Sequence, residues 1–240
     1  MKNLPLYLPV LMIATTLLTL YFFYRASGNR KSILIISILW LTIQAAIGLT
    51  GFYLMENTLP PRFSLLIVLP LVAIGACFFT KRGRSFLDGF DSNWLTLLHV
   101  VRIPVEIVLF GLFIKSYVPE LMTFEGRNFD ILSGITAPIV FYFGFIKKKL
   151  NRNFFLAWNF VCLALLLNIV VHAILSAPVP FQQFAFDQPN IGVLYSPYVW
   201  LPCFIVPVVL FSHLAVIRHL LMQKQNIASV VKSLTALVAS

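Results

Sequence analysis

The sequence predicts an all-α, polytopic membrane protein: a bundle of seven transmembrane helices, N-terminus outside, C-terminus cytoplasmic, ending in a short amphipathic helix. Three observations predict it. Of 240 residues, 60% are hydrophobic and only 11% charged, with a mean hydropathy of +0.91, which leaves a water-soluble fold short of polar surface. Apolar runs near the ~20 residues a spanning helix needs recur along the whole chain between short polar connectors. Basic residues gather on alternate connectors, as they do on the cytoplasmic side of membrane proteins.

The runs fall at residues 4–24, 32–55, 63–80, 93–117, 130–147, 154–176 and 193–217. The first outlasts the roughly 7–15-residue apolar region of a signal peptide, and YRASGNRK follows it instead of a small-residue cleavage site, so the reading is a retained helix. With the N-terminus outside, the inner segments hold Arg25, Arg30, Lys31, Lys81, Arg82, Arg84, Lys147, Lys148, Lys149, Arg152, Arg218, Lys224 and Lys232, thirteen in all. The outer segments hold four, Lys2, Arg62, Lys115 and Arg127, and most acids: Glu56, Glu120, Glu125, Asp130 and Asp187. The net charge of +10 is therefore a topology signal that also suits anionic lipid headgroups at the inner face. It does not suggest nucleic acid, because it sits on short interhelical loops.

One domain, residues 1–224, accounts for the spans. The tail, 225–240, sets Ile227, Val230, Val231, Leu234, Leu237 and Val238 at helical spacing, which suits either a helix lying on the inner surface or a disordered end. Cys77, Cys162 and Cys203 lie far apart inside apolar runs, without the spacing of a disulfide framework or metal ribbon. Two outer connectors, YVPELMTFEGRNFD and SAPVPFQQFAFDQPN, are longer than a bundle requires and read as interfacial packing or as a lid over an outward cavity.

Polar residues inside the runs carry the functional expectations, since an ionisable group at a helix centre costs about 2.5–3.5 kcal/mol on insertion scales. The fourth run sets His99, Arg102 and Glu106 at i, i+3 and i+7, one stripe that must face the bundle. Its plainest reading is an Arg102–Glu106 ion pair at i, i+4, although Pro104 lies between them and Glu-before-Arg is the better order. Ser212 and His213 stand near the inner end of the seventh run, where Pro197, Pro202 and Pro207 free backbone carbonyls. Asn159 lies toward the inner end of the sixth run, Asn168 and His172 toward its outer end; Gln44 lies near the middle of the second. At about 1.5 Å per residue, His99 and His213 fall about 9 and 13 Å to the inner side of their midpoints and His172 about 10 Å to the outer side.

These positions exclude several functions. Retinal photochemistry needs a lysine in the middle of the seventh helix, and there is none. A three-histidine zinc site fails because His213 and His219 are six apart and His172 is about 20 Å in depth from the inner pair, while zinc–nitrogen bonds are about 2.0–2.1 Å. No P-loop, nucleophile elbow or dinucleotide fingerprint appears. The leading expectation is handling of a small solute or proton along a polar path formed by His99, Arg102, Glu106, Asn159, Asn168, His172, Ser212 and His213. Two alternatives remain: a metal- or haem-dependent enzyme at the His99/His213 level, and a non-catalytic receptor or assembly subunit. No particular cofactor follows from the residues. Few soluble appendages suit a bacterial inner membrane.

Overall fold

A computed structural model describes residues 4–54 and 60–238, with side chains through residue 222. Lys2, Glu56, Lys224, Lys232 and the apolar face read in the tail thus lie outside the described side chains. The described residues are mostly helical and contain no strand. The helices are α1 (Tyr7–Ala26), α2 (Lys31–Leu49), α3 (Ser64–Phe79), α4 (Lys81–Asp88), α5 (Ser92–Leu98), α6 (Arg102–Ile114), α7 (Ile131–Phe141), α8 (Arg152–Leu175) and α9 (Val206–Val238). A 3-10 turn, His99–Val101, joins α5 to α6; a π-helical stretch, Tyr142–Ile146, extends α7, and another, Leu201–Ile205, leads into α9.

Five helical segments are long and apolar enough to cross a membrane: Tyr7–Ala26, Lys31–Leu49, Ser92–Ile114, Arg152–Leu175 and Leu201–Met222. The chain is a multi-pass helical membrane protein. The third and fifth expected spans are shorter. α3 has 16 residues and bends by 93° into α4, and Ile131–Ile146 falls below spanning length. The elbow sits at Thr80, whose Oγ1 accepts from the Gly83 N–H at 2.9 Å and so caps α4. Gly83 is required there, since a Cβ would lie 2.5 Å from the Ala76 carbonyl oxygen.

Leu201–Met222 is the central post, with 72% of its apolar window buried against 28% for α2 and α8. α1, α3, α5 and α8 surround it, and α6 and α7 close the bundle. The expected seventh span began at 193, but the chain is irregular there and the π-helix starts at Leu201, where Pro202 and Pro207 disturb the ladder. Pro207 has no N–H for the Cys203 carbonyl, and the Trp40 indole of α2 donates to that oxygen instead at 2.9 Å. The outward sides of α2 and α8 remain apolar, with Ile35, Ile36, Leu39, Phe160, Val161 and Val171 all exposed, as helices facing acyl chains require.

One end of the bundle gathers the cations. Arg25 lies over the Trp94 ring at 4.8 Å, Arg152 Nε donates to the Leu220 carbonyl at 2.7 Å, and Arg218 pairs with Asp88 at 2.9 Å. The short α1–α2 turn at this basic end needs positive φ at Gly28 (72°) and Asn29 (59°), residues that tolerate it.

Candidate functional site: a buried charged cluster and its cavity

The site grows from the α5–α6 junction. Pro104 offers no N–H to the Val100 carbonyl, and just before it the ladder tightens into the 3-10 turn His99–Val101. His99, Arg102 and Glu106 remain on the inward side and are buried.

Arg102 does not pair with Glu106. Its Nη1 donates to Asp130 Oδ1 at 2.7 Å and to the Cys162 carbonyl at 3.3 Å, and its Nη2 donates to His213 Nε2 at 2.8 Å; its Nε has no partner. The guanidinium thus ties α6 to the head of α7, to α8 and to α9. A planar fork finding acceptors on three helices has more to gain than from one carboxylate on its own strained turn.

A guanidinium only donates, so His213 Nε2 must accept and the ring proton sits on Nδ1, which donates to Asn159 Oδ1 at 3.0 Å. Asn159 passes its amide proton to the Phe155 carbonyl at 2.9 Å. These partners hold His213 as the neutral ring. His99 stacks on it, centroids 3.9 Å apart and planes at 15°, and Trp158 meets His99 edge-on while its indole donates to Thr136 Oγ1 at 3.0 Å. Both nitrogens of His99 are buried without a partner, so it has no acceptor that an imidazolium would need.

Glu106 faces the other way along the stripe. Its Oε1 accepts from the Asn128 amide, which also donates to the Met122 carbonyl at 3.0 Å, while Asn128 Oδ1 accepts from the Asp130 backbone N–H at 3.0 Å. Asn128 and Asp130 come from the connector 115–130, which descends into the bundle before α7 begins. Other elements hold that connector in place: Asn168 of α8 donates to the Arg127 carbonyl at 2.9 Å, Gln188 to the Val118 carbonyl at 2.6 Å, and the Gly192 N–H to the Tyr117 carbonyl at 2.7 Å.

Beside Glu106 lies a cavity of ≈ 100 Å³ between α3, α6, α8 and the segment before α9. Its wall is apolar except for Glu106, Asn128, Asp130 and Asn190. Glu106 Oε2 and Asn190 Oδ1, both buried, have no hydrogen-bond partner.

The expected residues therefore divide. His99, Arg102, Asn159 and His213 form one cluster, linked through Asp130 and Asn128 to Glu106. Three lie apart from it. Ser212 Oγ donates to the Val208 carbonyl of its own helix at 2.8 Å; His172 bonds the Asn168 carbonyl at 2.8 Å and stacks on Phe184; Asn168 serves the connector. Asn128, Asp130 and Asn190 escaped the sequence reading. The signal was present in the length of the two outer connectors, 115–130 for Asn128 and Asp130 and SAPVPFQQFAFDQPN for Asn190, but Asp130 counted only as an outer acid.

The donor geometry does not fit a haem or metal at the His99/His213 level. Two ligands of one iron must point nitrogens at it from opposite sides, whereas these rings lie face to face and both His213 nitrogens are engaged. Among the described residues no three His, Cys, Asp or Glu side chains converge as a metal site.

Fold and site together define a class: a multi-pass helical membrane protein whose bundle buries a hydrogen-bonded group of charged and polar side chains. The chain belongs to the family described as "Domain of unknown function (DUF8737)", whose model matches residues 60–221. The whole cluster and its cavity lie in that region. No curated protein and no solved structure matches the chain.

Proposed function

We propose that the protein handles a small solute or proton through its bundle, and that Glu106 is the group whose counter-charge is exchanged. The reading takes α3 and α7 as two short crossings that complete seven, the basic end as cytoplasmic, where anionic headgroups meet it, and the N-terminus as outside. The thirteen-to-four division of basic residues supports that orientation.

The charge balance of the cluster carries the functional reading. Arg102 is matched by Asp130 at 2.7 Å, and His213 is neutral by its partners. Glu106 makes no ion pair among the described residues, and one of its oxygens has no partner at all. Arg102 and Asp130 are the charged groups near it; the cavity wall contributed by α3, α8 and the segment before α9 adds only the uncharged Asn190. An ionised carboxylate left so inside a bilayer is costly by several kcal/mol. The site is therefore one positive charge short, and a proton or a cationic solute supplies it. A group that takes up and gives back a positive charge at the inner edge of a cavity is what solute- or proton-handling needs.

The test is proton movement in proteoliposomes under an imposed pH gradient, read with an entrapped pH-sensitive dye and the membrane potential clamped. Wild-type protein should dissipate the gradient and Glu106→Gln should not, while the variant keeps its helical circular dichroism and melts within a few degrees of wild type. A folded Glu106→Gln protein with wild-type flux would remove the carboxylate from proton movement.

A further inference from the structure

Resting on the reading of Glu106 as an exchangeable site, we infer that the solute is a small aliphatic ammonium ion. Its charged end would sit between Glu106 and Asn190, and its carbon body in the cavity beside them. Three features of the cavity point to this chemistry together. The two side-chain atoms without partners, Glu106 Oε2 and Asn190 Oδ1, are oxygens, and Glu106 and Asn190 are 1% and 2% exposed. Both call for a donor. An ammonium group carries several N–H donors on one atom and can satisfy both oxygens at once, whereas an alcohol has one.

The second feature is charge. The cluster with Glu106 ionised totals one negative charge, since Arg102 and Asp130 cancel and the two histidines are neutral. A neutral ligand would leave that deficit inside the membrane. A monocation removes it, and a dication would overshoot.

The third feature is shape. Val105, Leu109, Leu166, Ile169 and Val170 make an apolar wall around the polar end. A cavity of about 150 Å³ holds benzene, so ≈ 100 Å³ accommodates an amine of roughly four or five heavy atoms. Three waters would also fill that volume at about 30 Å³ each and could meet the two oxygens, but they bring no charge. Asn190 also anchors its own loop, its N–H bonding the Ser176 carbonyl at 2.8 Å and its amide the Ala173 carbonyl at 3.2 Å, which uses its donors and leaves its side-chain oxygen without a partner at a residue of the cavity wall.

Titration calorimetry of the full chain in nanodiscs, with n-butylammonium chloride and n-butanol as probes, tests the assignment. Two buffers of different protonation enthalpy count the protons released. We expect saturable binding of n-butylammonium with about one proton released per amine, as the cation replaces the proton on Glu106. n-Butanol should bind at least about tenfold more weakly, the cost of losing one charged hydrogen bond. Ala173→Leu, which adds three carbons at a residue of the cavity wall, should abolish amine binding. Binding that is equal for the alcohol, or undiminished in Glu106→Gln, would overturn the ammonium assignment. So would no saturable amine binding. If Glu106→Gln still stops proton flux in that last case, the exchangeable carboxylate stands and only the solute class falls. If flux too is unchanged, both fall. Amine binding lost in Glu106→Gln with unaltered proton flux upholds the ammonium site and removes proton movement.

Discussion

Arg102–Asp130 and Arg218–Asp88 are ion pairs of nearly equal length, 2.7 and 2.9 Å, in very different surroundings. The side chains of the first are 3% and 8% exposed and those of the second 21% and 38%. At the basic end Arg218 also forms a fork, Nε and Nη2 each meeting one oxygen of Asp88, yet water and ions reach the pair. In the bundle Arg102 has less ideal geometry toward its acid but no solvent to replace it. The contrast teaches that contact length says little about what a charge pair contributes; what surrounds the charges once the pair is broken decides it.

The comparison is sharpest if Arg102 is truncated. Arg102→Met removes the donors serving Asp130, His213 and the Cys162 carbonyl and strands Asp130 without a cation. We expect a loss of about 3–5 kcal/mol, seen as a large drop in thermal midpoint and in folded yield. Adding Asp130→Asn should recover part of it, because the stranded charge is gone. A single Arg102→Met variant that melts like wild type would show that the bundle interior is wet enough to behave as a surface.

A smaller effect belongs to Asn159, which orients His213. Asn159→Leu leaves the Nδ1–H of His213 without an acceptor, at a cost of about 1–3 kcal/mol, and frees the ring to exchange tautomers. Nitrogen chemical shifts of His213 should move from a single Nδ1–H pattern toward a mixture; an unchanged pattern would mean that Arg102 alone sets the tautomer. The smallest effect belongs to the basic end. Arg218→Ala should cost about 0–1 kcal/mol, and the difference from wild type should shrink in high salt. A loss as large as that of Arg102→Met would erase the distinction between the two regions.

What the sequence made legible follows the same division between local and distant causes. Continuous apolar runs placed α1, the Ser92–Ile114 segment and α8 within three residues, and α2 with its end six residues late, because burying such a run in protein or lipid leaves helix as the only way to satisfy its backbone. The stripe of His99, Arg102 and Glu106 was legible from spacing alone. Its pairing was not, because the partner of Arg102 lies at the head of another helix, at a position that hydropathy reads as the edge of the membrane. The elbow at Thr80 and the late start of the last crossing at Leu201 also escaped. Both depend on how a neighbour packs: α4 folded back onto the end of α3 at Gly83, and Trp40 reaching the carbonyl that Pro207 leaves free.

The two short helices have a consequence for the bilayer itself. Sixteen residues of helix are about 24 Å long, against roughly 30 Å of hydrocarbon. α3 ends at the elbow into α4 with Lys81 and Arg82, and the Ile131–Ile146 segment ends at Lys147–Lys149. If both cross the bilayer as proposed, each shortfall of about 6 Å opens on the side opposite those cations. Phe63 and Leu66 at the start of α3 and Asp130 at the start of α7 all belong to the cavity wall. On the proposed seven-crossing reading, hydrophobic mismatch there is met by a thinned bilayer or by the loops standing in for helix, which would put this part of the Glu106 cavity wall where the lipid barrier is least.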